Sequence, residues 1–213
     1  MYFLTTTRAI NLVRKNLDEI GFNDSNMLAM QKDALNLDAT IASTLPESIN
    51  TIHKLAPVTM LDGLEATPEI VTAGSDGVMR VTADIPFLRL VAFRASDSEV
   101  VIADPVEEYS PQGRMQLNKY VRGTYDNPAL VIKQGRGSDF DTHYEFRYYS
   151  IRSTDATVAE FEYIPRHKFE DSSTGYYVAD ALHDAVIDRL TGDVLTIYGE
   201  GQKAQDFYNK ITL

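Results

Sequence analysis

The spacing of apolar residues changes twice along this chain, and that change limits the folds open to it. Toward the N-terminus they recur at three and four, the period of a helix with one buried face. From Val78 to Ile164 they alternate, which is the period of a half-buried strand, and beyond Tyr177 the helical period returns. Helices, then an antiparallel sheet, then helices make an α+β arrangement, with no internal repeat.

The individual elements follow from this pattern. Residues 5–20 read as a helix, with Ile10, Val13, Leu17 and Ile20 on one side and Thr5 or Thr6 as its cap. Gly21 follows, where a left-handed residue belongs. Residues 26–36 carry a weaker helical pattern. Over 38–55, Ile41, Leu45, Ile49, Ile52 and Leu55 form one stripe interrupted by Pro46. A proline there removes a donor and crowds the preceding turn, which predicts a kink or restart near Thr44–Leu45. Ala56-Pro57 ends the helix.

In the middle, 78–85 places Met79, Val81, Ala83 and Ile85 on one face. Residues 87–94 read as a well-covered strand, and 99–102 and 129–133 as short ones. Strand 143–151 places Tyr144, Phe146 and Tyr148 together. Strand 157–164 turns Ala159, Phe161 and Tyr163 inward and Glu160 and Glu162 outward. Ser75-Asp76-Gly77 and Asp126-Asn127-Pro128 are turn chemistry. Residues 104–128 lack a period and read as a long functional loop. A broad stripe from Tyr177 to Ile197 predicts a helix over 178–198, with Gly192 at its middle. Gly199 and Gly201 then break it from a second helix over 202–211. The predicted organisation is a helical bundle from 1–61 and 166–213, with an inserted antiparallel β body at 62–165.

Charge narrows the function. The chain holds 31 acidic and 20 basic residues, for a net charge of −11. None of the stretches 1–60, 61–170 and 171–213 is basic, which argues against a clamp on nucleic-acid phosphates. The absence of cysteine removes disulfides, thiolate metal sites and cysteine nucleophiles. The opening MYFLTTTRAI does not read as a signal peptide, and no apolar stretch is long enough to span a membrane.

A search for chemistry finds little. Gly199-Glu200-Gly201 lacks the spacing of a phosphate loop, Gly135-Arg136-Gly137 reads as a turn, and no nucleophile elbow is present. His53, His143, His167 and His183 do not share ligand spacing. Asp180, Asp184 and Asp188 recur at four and would share one helical face, which is either solvated or able to hold a hard cation. Glu107-Glu108 reads as a solvated pair. The aromatic residues stand out more, with 12 tyrosines, 9 phenylalanines and no tryptophan. Tyr109, Tyr120 and Tyr125 share the unpatterned loop with Arg114 and Arg122, and these are residue types that interfaces favour. Ordinary loop packing is the alternative. Phe207, Tyr208, Ile211 and Leu213 on the last helix either pack against their own bundle or serve as an arm for a partner.

Three stretches in order, IASTLPESINTIHKLAP (41–57), ADIPFLRLVAFR (83–94) running into 98–132, and LHDAVIDRLTGDVLTIYGEGQKAQDFYNKI (182–211), resemble the head-to-tail adaptor proteins of tailed bacteriophages. The nearest likeness is to the ring proteins of crAss-like phages. The resemblance implies a structural virion protein, not an enzyme, made in the bacterial cytoplasm and placed at the portal vertex. Such proteins form a ring of identical copies, usually twelvefold, between the portal and the next tail component. Double-stranded DNA passes through the channel without specific binding. The resemblance implies no cofactor and no membrane. Two other functions compete with it: a small metal-dependent hydrolase using Asp180, Asp184 and Asp188, and a monomeric binding module.

Overall fold

The computed structural model describes residues 2–19, 37–134, 143–169 and 174–213. The predicted helix 26–36, Ile20, Gly21 and the turn at 135–137 lie outside them. In chain order the elements are β1 (Tyr2–Thr5), α1 (Thr6–Glu19), α2 (Leu37–Leu55), β2 (Leu64–Glu65), β3 (Ile70–Ala73), β4 (Val78–Asp84), β5 (Phe87–Ala95) and β6 (Val106–Glu107). They continue with α3 (Pro111–Met115), β7 (Ala129–Gln134), β8 (His143–Tyr149), β9 (Val158–Pro165), β10 (Gly175–Val178), α4 (His183–Ile197) and α5 (Gly201–Tyr208). Two compact units result, Met1–Asp62 with His167–Leu213, and Gly63–Arg166. The chain is α+β, with helices at both ends and a sheet body between.

The terminal unit is a helical bundle with a small added sheet. Thr5 caps α1 by accepting from the Arg8 N–H at 3.3 Å, and Ala9, Val13 and Leu17 are buried at intervals of four. In α2, Ile41, Leu45, Ile49 and Ile52 are at most 1% exposed, whereas Leu55 in the last turn is 63% exposed and leaves the stripe. The predicted restart at Pro46 does not occur, because α2 runs unbroken through it. Ahead of the proline, the Ser43 and Thr44 hydroxyls both donate to the Thr40 carbonyl, at 3.0 and 2.8 Å. Helix α2 packs on α4, and α1 packs on both. Val186, Leu190 and Val194 are fully buried. Each such aliphatic side chain contributes about 1.5–3 kcal/mol on burial.

The helix predicted over 178–198 begins five residues late. Tyr176, Tyr177 and Val178 belong instead to β10, which pairs antiparallel with β1 through Tyr2↔Val178 and Leu4↔Tyr176. These β-branched and aromatic residues favour the strand, and the N-terminal strand supplies its partner. A 3₁₀ turn over Asp180–Leu182 then leads into α4. Tyr177 and Ile197, read as stripe positions, are exposed.

Gly192 explains how α5 docks. An added Cβ there would lie 2.5 Å from the Tyr208 ring, so the glycine that weakens the helix by about 1 kcal/mol also admits the ring. The break between the helices is a left-handed cap. Gly199 has φ +82°, its N–H reaches Thr196 O at 3.1 Å, and the Glu200 N–H reaches Leu195 O at 2.9 Å. Both bonds satisfy carbonyls at the end of α4 and turn α5 back toward it.

The inserted unit is two facing sheets, ordered β3-β4-β8-β7-β6 and β2-β9-β5, antiparallel except for β6 with β7. Met79, Val81, Phe146 and Tyr148 from the first meet Leu90, Phe93, Phe161 and Tyr163 from the second in one core. The Phe146 and Phe161 rings sit edge to face at 4.9 Å. Ala159 does not point inward as predicted. A register shift between Arg94 and Ala95 places Val158 opposite Ala95, so Val158 packs on the core and Ala159 is exposed. The predicted strand 99–102 reduces to a single bridge, Phe93 to Ile102.

One buried titratable group is built into the terminal unit. His53 is fully buried, and its Nε2 accepts from the Ala179 N–H at 3.3 Å, which requires the neutral ring with its proton on Nδ1. The ring of His167, 6.3 Å away, is held nearby by Asn50, which bonds both the N–H and the carbonyl of that residue at 2.9 and 2.8 Å. Burial first, and His167 second, lower the His53 pKa from 6.5 to about 4. A depressed histidine leaves stability intact above pH 6.5 and removes it as pH falls toward 4, because the unfolded chain takes up the proton first. Over that window the wild type is expected to lose up to about 3 kcal/mol of unfolding free energy that His53→Gln retains. Denaturant titrations at several pH values check this, and parallel profiles for the two chains would contradict it.

Candidate interaction surface

The long loop predicted over 104–128 carries two short regular elements, β6 and α3, among turns. Strand β6 opens the segment and pairs in parallel with β7. Ser110 then caps α3: its Oγ accepts from the Gly113 N–H at 3.0 Å and donates to Glu107 O at 2.7 Å, with Pro111 in the first turn. Successive turns carry the chain on to Arg122, through Leu117 N–H to Arg114 O, Asn118 N–H to Met115 O, and Arg122 N–H to Asn118 O. Gln116 Oε1 accepts from the Gly123 N–H at 2.7 Å. Hydrogen bonds within the segment thus order much of its backbone between Ser110 and Arg122.

Two of the predicted interface residues are struts. Arg122 reaches back to Asp76 O at 2.7 Å, in the turn between β3 and β4. Tyr125 donates from its hydroxyl to Asp97 O, and the Arg152 guanidinium covers its ring. Ser150 locks the same end. With φ +79° it holds a conformation that side chains rarely adopt, and it donates from its hydroxyl to Gly123 O and from its N–H to Gly77 O.

The other predicted loop residues point outward and gain apolar company. Tyr109 is 70% exposed and Tyr120 85%; beside them stand Met115, Leu117 and Val121, each at least half exposed. Arg114 and Lys119 are exposed too, and the Lys119 ammonium lies 5.1 Å from the Tyr120 ring centre. Sequence reasoning missed Met115, Leu117 and Val121 because they follow no period. Their signal was composition: three apolar residues in a stretch with nothing to pack against.

The electrostatics of this surface are local. Residues 109–125 contain Arg114, Lys119 and Arg122 and no acidic residue, but Asp104, Glu107, Glu108 and Asp126 flank them within 104–128. Two of the acids near this surface, Glu108 and Glu145, are engaged. Arg147 bonds Glu145 at 2.6 Å and Glu108 at 2.9 Å, and Lys133 lies 4.0 Å from each. Burial alone would raise the Glu145 pKa, but the Arg147 hydrogen bond and charge outweigh it and hold the carboxyl below its usual range.

The remaining predicted sites fall elsewhere. Ala204 and Phe207 are buried, and Tyr208 bonds Asp193 at 2.9 Å and Thr196 at 3.0 Å, so α5 packs on its own bundle. Phe207 is thus closed to a partner, while Ile211 and Leu213 are half-buried. Asp180, Asp184 and Asp188 do not share one helical face, because Asp180 precedes α4 in the 3₁₀ turn. The Asp180 N–H meets Asp62 at 3.3 Å, and Asp184 meets His183 Nδ1 at 3.0 Å. Burial raises the Asp188 pKa, against Lys210. Among the described residues, no group of three or more histidines, aspartates or glutamates is arranged to hold a metal ion.

Gly113 is the point on which the order of this surface turns. A Cβ there would lie 2.1 Å from Glu107 O and 2.9 Å from Glu108 O, both backbone atoms that cannot yield. Gly113→Ala is expected to displace α3 while leaving the two-sheet core folded. Hydrogen exchange would show protection lost at amides 114–122 and kept in β4, β8 and β9; unchanged protection throughout would contradict the packing described.

No family model matches this chain, and no curated protein matches it. The surface has to be read from its own chemistry.

Proposed function

We propose that this chain is a structural subunit that assembles with copies of itself into a ring, and that the ring is a connector between a phage portal and its tail. One observation carries the assembly reading. Segment 104–128 is held by hydrogen bonds within it and to Asp76, Asp97, Ile132 and Ser150, yet Tyr109, Met115, Leu117, Tyr120 and Val121 stand open to solvent. Large apolar side chains held exposed on an ordered scaffold support the reading of a surface that is used. The connector reading rests on the resemblance of residues 41–57, 83–94, 98–132 and 182–211 to head-to-tail adaptors.

The roles follow from this. The partners are neighbouring copies, the portal, the next tail component, and double-stranded DNA in the channel. No residue of the chain is assigned a catalytic role. A charge of −11 per subunit, repeated around a ring, makes an acidic collar. Where acidic surface lines the channel it repels the phosphates, so the duplex slides without sticking.

Negative-stain imaging tests the reading, with the purified protein at rising concentration and on a portal ring of the same phage. Closed rings with a central channel are expected. Particles of monomer size under both conditions would overturn the proposal.

A further inference from the structure

In the terminal unit, two histidines and an asparagine join α2 to β10. Asn50, almost fully buried, clasps the His167 backbone, accepting from its N–H at 2.9 Å and donating to its carbonyl at 2.8 Å. The His167 ring in turn donates from Nε2 to Tyr177 O of β10 at 2.9 Å. His53, fully buried, accepts from the Ala179 N–H, one residue past that strand, at 3.3 Å. Strand β10 holds β1, with Leu4 opposite Tyr176. Among the described residues, the group whose charge acts on the His53 ring is His167, with ring centres 6.3 Å apart. Titratable groups on the neighbouring elements engage other atoms. The Tyr176 hydroxyl donates to Lys168 O and Phe169 O, and Asp62 accepts from the Asp180 N–H. Lys54, in the same helix, is exposed.

We propose that His53 and His167 form an acid-operated latch: the neutral His53 ring holds β10, and with it β1, on α2, and a proton on that ring releases the two strands while α2 and α4 stay packed. The stability loss described above concerns the whole chain, whereas the latch assigns the first opening to one place. The chemistry is that of a single acceptor. Neutral His53 accepts at Nε2; protonated, it carries an N–H on both nitrogens and meets the Ala179 N–H donor to donor. Among the described residues no carboxylate acts on this buried cation, and charge on His167 opposes it. The ring is fixed to a helix seated by Ile41, Leu45 and Ile49, which carry no titratable group. Ala179 lies between a four-residue strand and a 3₁₀ turn, so the strand side yields. A two-stranded sheet is marginal once it loses the surface beneath it. The latch works within one chain and does not depend on the ring.

Amide hydrogen exchange from pH 7 to pH 4, corrected for the intrinsic effect of pH on exchange, tests the latch on the wild type, His53→Gln and His167→Gln. Once open, His53 regains its ordinary pKa of 6.5, against about 4 when closed, so the open form takes up the proton first. The opening constant should therefore rise on the order of 20-fold between pH 7 and pH 5. In the wild type this loss of protection is expected at Ala179 and in β1 and β10, with α2 and α4 unchanged. His53→Gln should show no such loss, because its side-chain carbonyl can still accept from Ala179 and does not titrate. His167→Gln can still donate to Tyr177 O but lacks the opposing charge. The His53 pKa of its closed form then rises, so the loss of protection should level off at a higher pH and end smaller. Strands and helices losing protection together would show one transition of the whole unit and overturn the latch, as would wild-type strands equally protected at every pH. A His53→Gln chain that opens like the wild type would move the acid response to another group and overturn it too. A loss in His167→Gln as large as in the wild type would contradict the part given to that residue. Should His53→Gln fail to fold, the wild-type comparison of strands with helices and the His167→Gln profile decide alone.

Discussion

One carboxylate ties the helices of the terminal unit together. Asp193, at the middle of α4, accepts from Ser48 of α2 at 2.8 Å, from Arg189 of its own helix at 3.1 Å and from Tyr208 of α5 at 2.9 Å. Gly192 beside it makes the space that lets Tyr208 arrive. The arrangement matters because this unit is built from two stretches of chain, Met1–Asp62 and His167–Leu213. Every contact of α2 with α4 closes a loop that contains the whole inserted unit, at a cost in chain entropy. Hydrogen bonds to a charged acceptor are worth about 1.5–3 kcal/mol each, and here they add to the buried stripes of α2 and α4. The pairing of β1 with β10 closes the same loop a second time.

The inserted unit solves a different problem. Its core is settled by aromatic and aliphatic residues between two sheets, and the large apolar side chains of residues 109–121 lie outside that core. The segment is ordered by local polar bonds and close backbone packing: Ser110 as cap, Gly113 pressed on the Glu107 and Glu108 carbonyls, Gln116 closing onto Gly123, and Arg122 and Tyr125 as struts. Order without side-chain burial frees large apolar groups for another molecule, and little conformational entropy remains to be lost when they bind.

Much of this was legible in the sequence, and the failures have physical causes. The stripes of α2 and α4, the alternation in β4 and β8, and the turn at Gly199 were local patterns, and they survive because burial acts on them directly. Strand β1 was missed because a four-residue strand has meaning only beside its partner, which lies more than 160 residues further on. The same pairing shortened the predicted helix at 178–198. Ala159 was misplaced because a bulge shifts alternation by one, and no periodicity announces a bulge. In the loop, Tyr109, Arg114 and Tyr120 stand exposed, whereas Arg122 and Tyr125, singled out by the same residue types, are used inward by the fold. Phe207 was open to either reading until Gly192 showed where Tyr208 packs.

The central claim is that a surface ordered in the single subunit becomes covered when subunits join. Hydroxyl-radical footprinting of the same protein before and after assembly measures this side chain by side chain. The account predicts that Tyr109, Met115, Leu117 and Tyr120 react strongly in the subunit and several-fold less in the assembly, while the buried Tyr148 and Phe146 react weakly in both. Equal reactivity of the four loop residues in subunit and assembly would contradict it.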